Sequence, residues 1–303
     1  MTSRKALSLV GILVWAGVAL TAAPRGIPRH YAAAATVTTA HSNDIVESCN
    51  DLHIRFDHHD TVMQSEVRTV TKSEAPTLRV RAEYNGGLQV QGWDQAAYSV
   101  TLCKAAEAGS GAESLLSQIH LTFQNSELGV SGPSSGDHWS AYLLIRAPKA
   151  AAMDLQAHNG PLTLRKVDGS LRVRAENGPV TVTDCNGDLD LASHNGPVTL
   201  EGNSGKLKVT TENGPVTVAL TGAKWNGSGL DAHATNGPVR LEIPSGYQSG
   251  VVLESDGNGP FQCRASVCSE GRKTWDEDHK RVEFGSGPTL VRVSTVNGPV
   301  SVN

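Results

Sequence analysis

Asn-Gly-Pro occurs seven times in this chain, beginning at Asn159, Asn177, Asn195, Asn213, Asn236, Asn258 and Asn297. The intervals are 18, 18, 18, 23, 22 and 39 residues. A fixed short period is the mark of units that cannot bury their apolar face alone and must stack on copies of themselves. The regular units read HNGPLTLRKVDGSLRVRA, ENGPVTVTDCNGDLDLAS and HNGPVTLEGNSGKLKVTT. A second glycine follows the first after nine residues, as in Gly160 and Gly169, Gly178 and Gly187, Gly196 and Gly205. Each unit is therefore two turns and two short segments. Leu162 and Leu164, then Leu171 and Val173, alternate with polar residues, as do their equivalents in each later unit. Alternation of period two is a strand signal and excludes helices. The low aromatic content, 5%, and the many Val, Leu, Thr and Gly residues agree with many short strands.

Two arrangements fit such strands. Asn-Gly between strands is a strong hairpin signal and would give an antiparallel meander. Pro161, Pro179, Pro197 and Pro215, however, lack an N–H where a tight hairpin begins its ladder. A coil that turns a corner at each Asn-Gly-Pro has no such conflict. In a coil, equivalent residues lie about 4.8 Å apart on neighbouring units. The residues before the asparagines read His158, Glu176, His194, Glu212, and an outward position reads Arg172, Asp190, Lys208. Neither column stacks like charges on adjacent units, as cross-strand pairing favours. The pattern predicts an all-β parallel solenoid with coils of about 18 residues. Asn159-Gly160-Pro161, Asn177-Gly178-Pro179, Asn195-Gly196-Pro197 and Asn213-Gly214-Pro215 are its structural turns.

The repeat begins earlier in weaker form. Leu78 to Glu83 reads LRVRAE, identical to Leu171 to Glu176, and Asn85-Gly86 follows. Leu52 to Phe56 and Ile119 to Phe123 alternate as strands, whereas Ala105 to Gln118 reads as an inserted loop or short helix. The expected divisions are 1–35, a leader; 36–150, an irregular β portion or cap with the first coils; and 151–303, the regular repeat. In the leader, Arg4 and Lys5 precede 18 uncharged residues from Ala6 to Ala23. That pattern is a signal peptide or, uncleaved, an N-terminal membrane anchor, and either route exports the chain to the periplasm or cell surface. The five cysteines agree with export. Cys263 and Cys268 are close enough to bridge, Cys49 and Cys103 then pair, and Cys185 is left at an inward position equivalent to Val167.

Trp139 to Pro148 reads WSAYLLIRAP, followed by Met153-Asp154-Leu155 and the Asn-Gly units, and the chain closes through Gly285-Ser286-Gly287, Leu290 to Val293 and a last Asn-Gly. This series resembles the bacterial putative adhesin family, a domain of unknown function found in envelope proteins. The likeness extends over about residues 75–303. It implies a right-handed parallel β-helix and, by analogy, adhesion; it brings no catalytic residue, cofactor or metal. The strict proline after Asn-Gly and the Cys263–Cys268 segment depart from the family pattern.

Other chemistry has little support in the sequence. The net charge of −4, with both signs interspersed, gives no basic footprint for nucleic acid. No GxSxG, HExxH, Walker or dinucleotide-binding pattern stands in its required context. His53 with Asp57-His58-His59-Asp60, and Asp276-Glu277-Asp278-His279, read as solvated loops. His158 and His194 are two coils apart, too far to share one metal. The Thr163, Thr181, Thr199, Thr217 column is β-branched strand surface. The expectation is a non-enzymatic, adhesin-like structural or surface-interaction protein. Its expected partner is an envelope protein or glycan, with partner contact or self-association through either the C-terminal edge at Ser301-Val302-Asn303 or the outward threonine face of residues 160–220. The competing reading is a carbohydrate-binding or polysaccharide-cleaving β-helix.

Overall fold

The computed structural model describes residues 35–39, 46–56, 59–134, 138–257 and 259–303, with the backbone alone at 35–39 and Tyr84. The expected leader lies outside the described residues apart from Ala35, as do Asp57, His58 and Asn258. No helix of the described residues is long and apolar enough to cross a membrane. The protein is all-β and its main sheet is mixed.

The first portion contains β1 (Ala35–Thr39), β2 (Leu52–Phe56), β3 (Thr61–Thr71), β4 (Thr77–Trp93), β5 (Ala97–Glu107), α1 (Ala112–Leu116), β6 (His120–Gln124), β7 (Glu127–Ser131) and β8 (Trp139–Pro148). The segment expected as a loop or short helix begins as strand, because β5 runs on to Glu107, and then holds a helix of five residues. Ala105 and Ala106 continue the strand because Ala105 faces Ser140 and Ala106 faces Trp139 across an antiparallel ladder.

From Ala152 the repeat alternates long and short strands: β9 (Ala152–Asn159), β10 (Leu162–Arg165), β11 (Ser170–Asn177), β12 (Val180–Thr183), β13 (Asp188–Asn195), β14 (Val198–Gly202), β15 (Ser204–Asn213), β16 (Val216–Leu220), β17 (Asn226–Asn236) and β18 (Val239–Glu242). The short strands pair in parallel, β10 with β12, β12 with β14, β14 with β16 and β16 with β18. The long strands do the same, β9 with β11, then β13, β15 and β17. Leu162 lies beside Val180 and Leu171 beside Leu189, a shift of one repeat in both ladders. The leucines and valines that alternate in each strand are buried and form one contiguous core with contributions from both ladders. Sequence period thus becomes stacking register, and register places apolar side chains on apolar side chains.

β4 belongs to both ladders. Its first half pairs with β9 and its second half with β10, bending at Asn85-Gly86 as later units bend at their Asn-Gly corners. On its other side β4 receives β7 and β8, also parallel, although these come later in the chain. Beyond them pairing becomes antiparallel: β8 with β5, β5 with β3, and β7 with β6.

The far end is built in a similar way. The last strands are β19 (Gly250–Ser255), β20 (Phe261–Cys263), β21 (Arg272–Trp275), β22 (Lys280–Phe284), β23 (Thr289–Asn297) and β24 (Val300–Val302). β23 lies between β17 and β19, and β24 between β18 and β20. Ser301 therefore faces Arg240 on one side and Gln262 on the other. The expected C-terminal edge is corrected accordingly, since Ser301 and Val302 are interior to their ladder. The reason is local. The 39 residues between the last two Asn-Gly-Pro copies hold β20 and an antiparallel β21–β22 hairpin. β22 pairs back onto β19, and the chain returns into the space between units. Antiparallel pairing at both ends also makes the sheet mixed, where the repeat alone predicts uniform parallel strands.

Candidate functional site

The corners come first because they hold the faces in register. Each asparagine side chain donates from Nδ2 to Oδ1 of the preceding corner. Asn159 donates to Asn85 at 3.2 Å, Asn177 to Asn159 at 3.0 Å and Asn195 to Asn177 at 3.0 Å. Asn213, Asn236 and Asn297 continue the ladder at 3.2, 3.1 and 3.0 Å. The backbone is equally committed. Gly160 donates to the Asn177 carbonyl at 2.9 Å and Leu162 to the Pro179 carbonyl at 2.9 Å, with the same pair of bonds at Gly178 and Val180 and at Gly196 and Val198. Pro161, Pro179, Pro197 and Pro215 sit between these donors, where the ladder uses no N–H. A Cβ on Gly196 would lie 2.2 Å from the Gly178 carbonyl oxygen, at φ +134°, so the column admits only glycine.

The first ladder has a threonine outer face that is partly closed. Gln89, Thr163, Thr181, Thr199 and Thr217 share one column. Gln89 is buried, bonded to both the N–H and the carbonyl of Val46 at 3.1 and 2.7 Å. Val46, Leu52, Ile54 and Phe56 pack there against Tyr142 and Leu144. A disulfide between Cys49 and Cys103, with Cα atoms 5.4 Å apart, ties this cover to β5. Cys263 and Cys268 form the second disulfide, at 5.8 Å between Cα atoms, beside β20. Cys185 is free and buried, and burial pushes its thiol up to about 11.

The outer face of the second ladder is open and charged. One column runs Glu127, Arg79, Asp154, Arg172 and continues Asp190, Lys208, Asp231, Arg292. The sign alternates at every step. The sequence pattern shows three of these eight positions. Identity of LRVRAE at 78–83 with 171–176 is the signal that would have added Arg79, and Asp231 is hidden by the longer unit before it. Arg292 enters only because β23 is inserted beside β17. A second column, His158, Glu176, His194, Glu212, runs parallel four residues further along the strands, and His194 meets Glu212 at 2.6 Å. Several charges are held by diagonal ion pairs, Arg81–Asp154 at 3.1 Å, Arg174–Asp190 at 3.0 Å and Arg292–Glu254 at 2.8 Å. Among the described residues, Arg172, Lys208 and Asp231 have no ion-pair partner. A groove of about 650 Å³ runs along this column, with Arg172, Asp188, Lys206, Lys208 and Asp231 in its wall.

The histidine and acid clusters resolve into local pairs. His59 and His138 both approach Glu107, at 3.4 and 2.6 Å. His279 meets Asp256 at 2.7 Å, and Asp276 accepts the backbone N–H of Asp278 and His279 within its own turn. No group of three or more such side chains among the described residues is arranged to hold a metal ion.

No family model matches the chain, and neither does any of the curated proteins with which it was compared. Solved structures similar to it include a putative cell adhesion protein from Clostridium sporogenes, 13% identical, with a TM-score of 0.36 over 80% of this chain and 99% of that one. A putative adhesin from Parabacteroides merdae is 10% identical, with a TM-score of 0.31 over 79% of this chain and 96% of that one. A putative adhesin from Bacteroides fragilis is 10% identical, with a TM-score of 0.27 over the same shares, 79% and 96%. These likenesses fall below the level that establishes a shared fold.

Proposed function

We propose that this chain is an exported, non-enzymatic, adhesin-like module that displays a charged face to a partner at the cell envelope. The observation that carries the reading is the column from Glu127 to Arg292, eight alternating charges held in register on one outer face. At about 4.8 Å per strand that face is about 34 Å long. The stacking of one repeat on the next in both ladders supports winding as a parallel β-helix of about 18 residues per coil, and crossovers between parallel strands of one sheet wind right-handed. Two disulfides suit an oxidising compartment. A rigid surface of mixed charge sets partner choice by complementarity more than by bulk affinity. The partner is an envelope protein or a glycan.

The test is a binding screen of the purified protein against envelope extracts and a polysaccharide panel, with assay for release of reducing ends or unsaturated sugars. Salt-sensitive binding without release, weakened by Lys208→Ala, is the expected result. Release that disappears on replacing outward carboxylates would make the protein a polysaccharide-cleaving enzyme instead.

A further inference from the structure

We infer that the charged face is self-complementary and that a second copy of this chain docks on it, about a two-fold axis lying parallel to the strands between β11 and β13. The argument is one of symmetry. Such an axis reverses the order of the strands and leaves each column facing itself. A column with an even number of strictly alternating charges, reversed, meets opposite charges everywhere. Arg172 faces Asp190 of the second copy, Asp154 faces Lys208, Arg79 faces Asp231 and Glu127 faces Arg292, each pair made twice. The same axis serves the second column, setting Glu176 against His194 and His158 against Glu212. An axis passing through a strand would instead set every residue against its own like charge, so the register of the pair is fixed as well as its direction.

Three further observations favour this occupant. Arg172, Lys208 and Asp231 have no ion-pair partner among the described residues, and the second copy supplies one for each. The face measures about 34 Å by 25 Å, or about 850 Å² per copy, the size of a standard specific interface. Interfaces of this kind are isologous, the same patch used by both partners. The terminal strands take no part, so the pair is closed and does not propagate.

Sedimentation of the full chain tests the proposal, because opposed charges can be swapped in separate copies. Wild type is expected to be dimeric at tens of micromolar in about 0.05 M salt and monomeric in about 0.5 M salt, where screening is strong. Asp154→Lys puts lysine against Lys208 twice in its own dimer, and Lys208→Asp puts aspartate against Asp154 twice. Each alone should bind itself at least about tenfold more weakly, and an equimolar mixture should recover wild-type association, because both contacts are then opposite in sign. Melting curves verify that each variant is folded. If a reversal impairs folding, Asp154→Asn and Lys208→Gln give a smaller weakening and a shallower salt dependence. A wild type that stays monomeric at low salt, a dimer indifferent to the swaps, or a mixture no better than either variant would overturn the proposal. Association through this face is read without any glycan or envelope partner, so its failure is separable from failure of the proposed function.

Discussion

At the scale of single residues, the corner glycines carry the strongest steric demand. Gly196→Val sets a branched Cβ 2.2 Å from a backbone oxygen at φ +134° and should destabilise by at least about 2 kcal/mol in thermal melts. Asn195→Ala removes one bond given and one received, at 3.0 and 3.2 Å, and should cost about 1–2 kcal/mol. A Gly196→Val protein that melts like wild type would contradict the steric demand at the corner. Cys185, with its thiol pushed up to about 11, should resist a thiol reagent at pH 8 until the protein is denatured. Its inward position is legible in the sequence because it aligns with Val167, which is also buried. Arg172 and Asp190 are legible in the same way, since one repeat length separates them. Arg292 is not, because 61 residues separate it from Asp231, its partner in the ladder.

At the scale of elements, the two ends behave differently from the repeat. The cover over β4, β5 and β8 rests on a small apolar cluster and the Cys49–Cys103 bridge, which closes a 54-residue loop worth up to about 4 kcal/mol in chain entropy. Replacing both cysteines by serine should release the 46–56 segment to proteolysis and uncover Tyr142 and Leu144 to a hydrophobic dye, leaving the repeat intact. At the other end, hydrogen bonds from Arg272 and then Arg281 hold the Glu283 carboxyl below its usual range. A depressed carboxyl contributes stability that is complete above its unfolded value and is lost as pH falls through the lower folded value. Exchange protection of β21 and β22, corrected for intrinsic rates, should hold from pH 7 to about 5 and fall below about pH 4. Glu283→Gln should be low throughout, and an unchanged acid profile in that variant would assign the effect elsewhere. Neither end is legible from the repeat. Gln89 shares a column with outward threonines yet is buried, because the segment that covers it lies 43 residues away in sequence.

At the scale of the whole molecule, the chain does not stack in the order in which it is written. The unit of β4 lies between β7–β8 and β9–β10, and the unit of β23–β24 lies between β17–β18 and β19–β20. A fixed period predicts neighbours for the regular units, where each strand follows the last. It is silent on the ends, where long insertions let the chain return to an earlier edge. The in-order reading therefore places Ser301 at the terminus of the stack, whereas both sides of Ser301 are paired. The consequence for function is direct, because the charge column reaches Arg292 only if the last unit sits beside β17. The measurement that tests this is the spin-label distance from Thr163 to Ser301 and, in a second variant, from Thr163 to Gln262, read by double electron–electron resonance. In-register stacking with the last unit inserted predicts five strand spacings, about 24 Å, to Ser301 and six, about 29 Å, to Gln262. A shorter distance to Gln262 than to Ser301, or distances unrelated to the strand spacing, would contradict the ladder and the continuous face built on it.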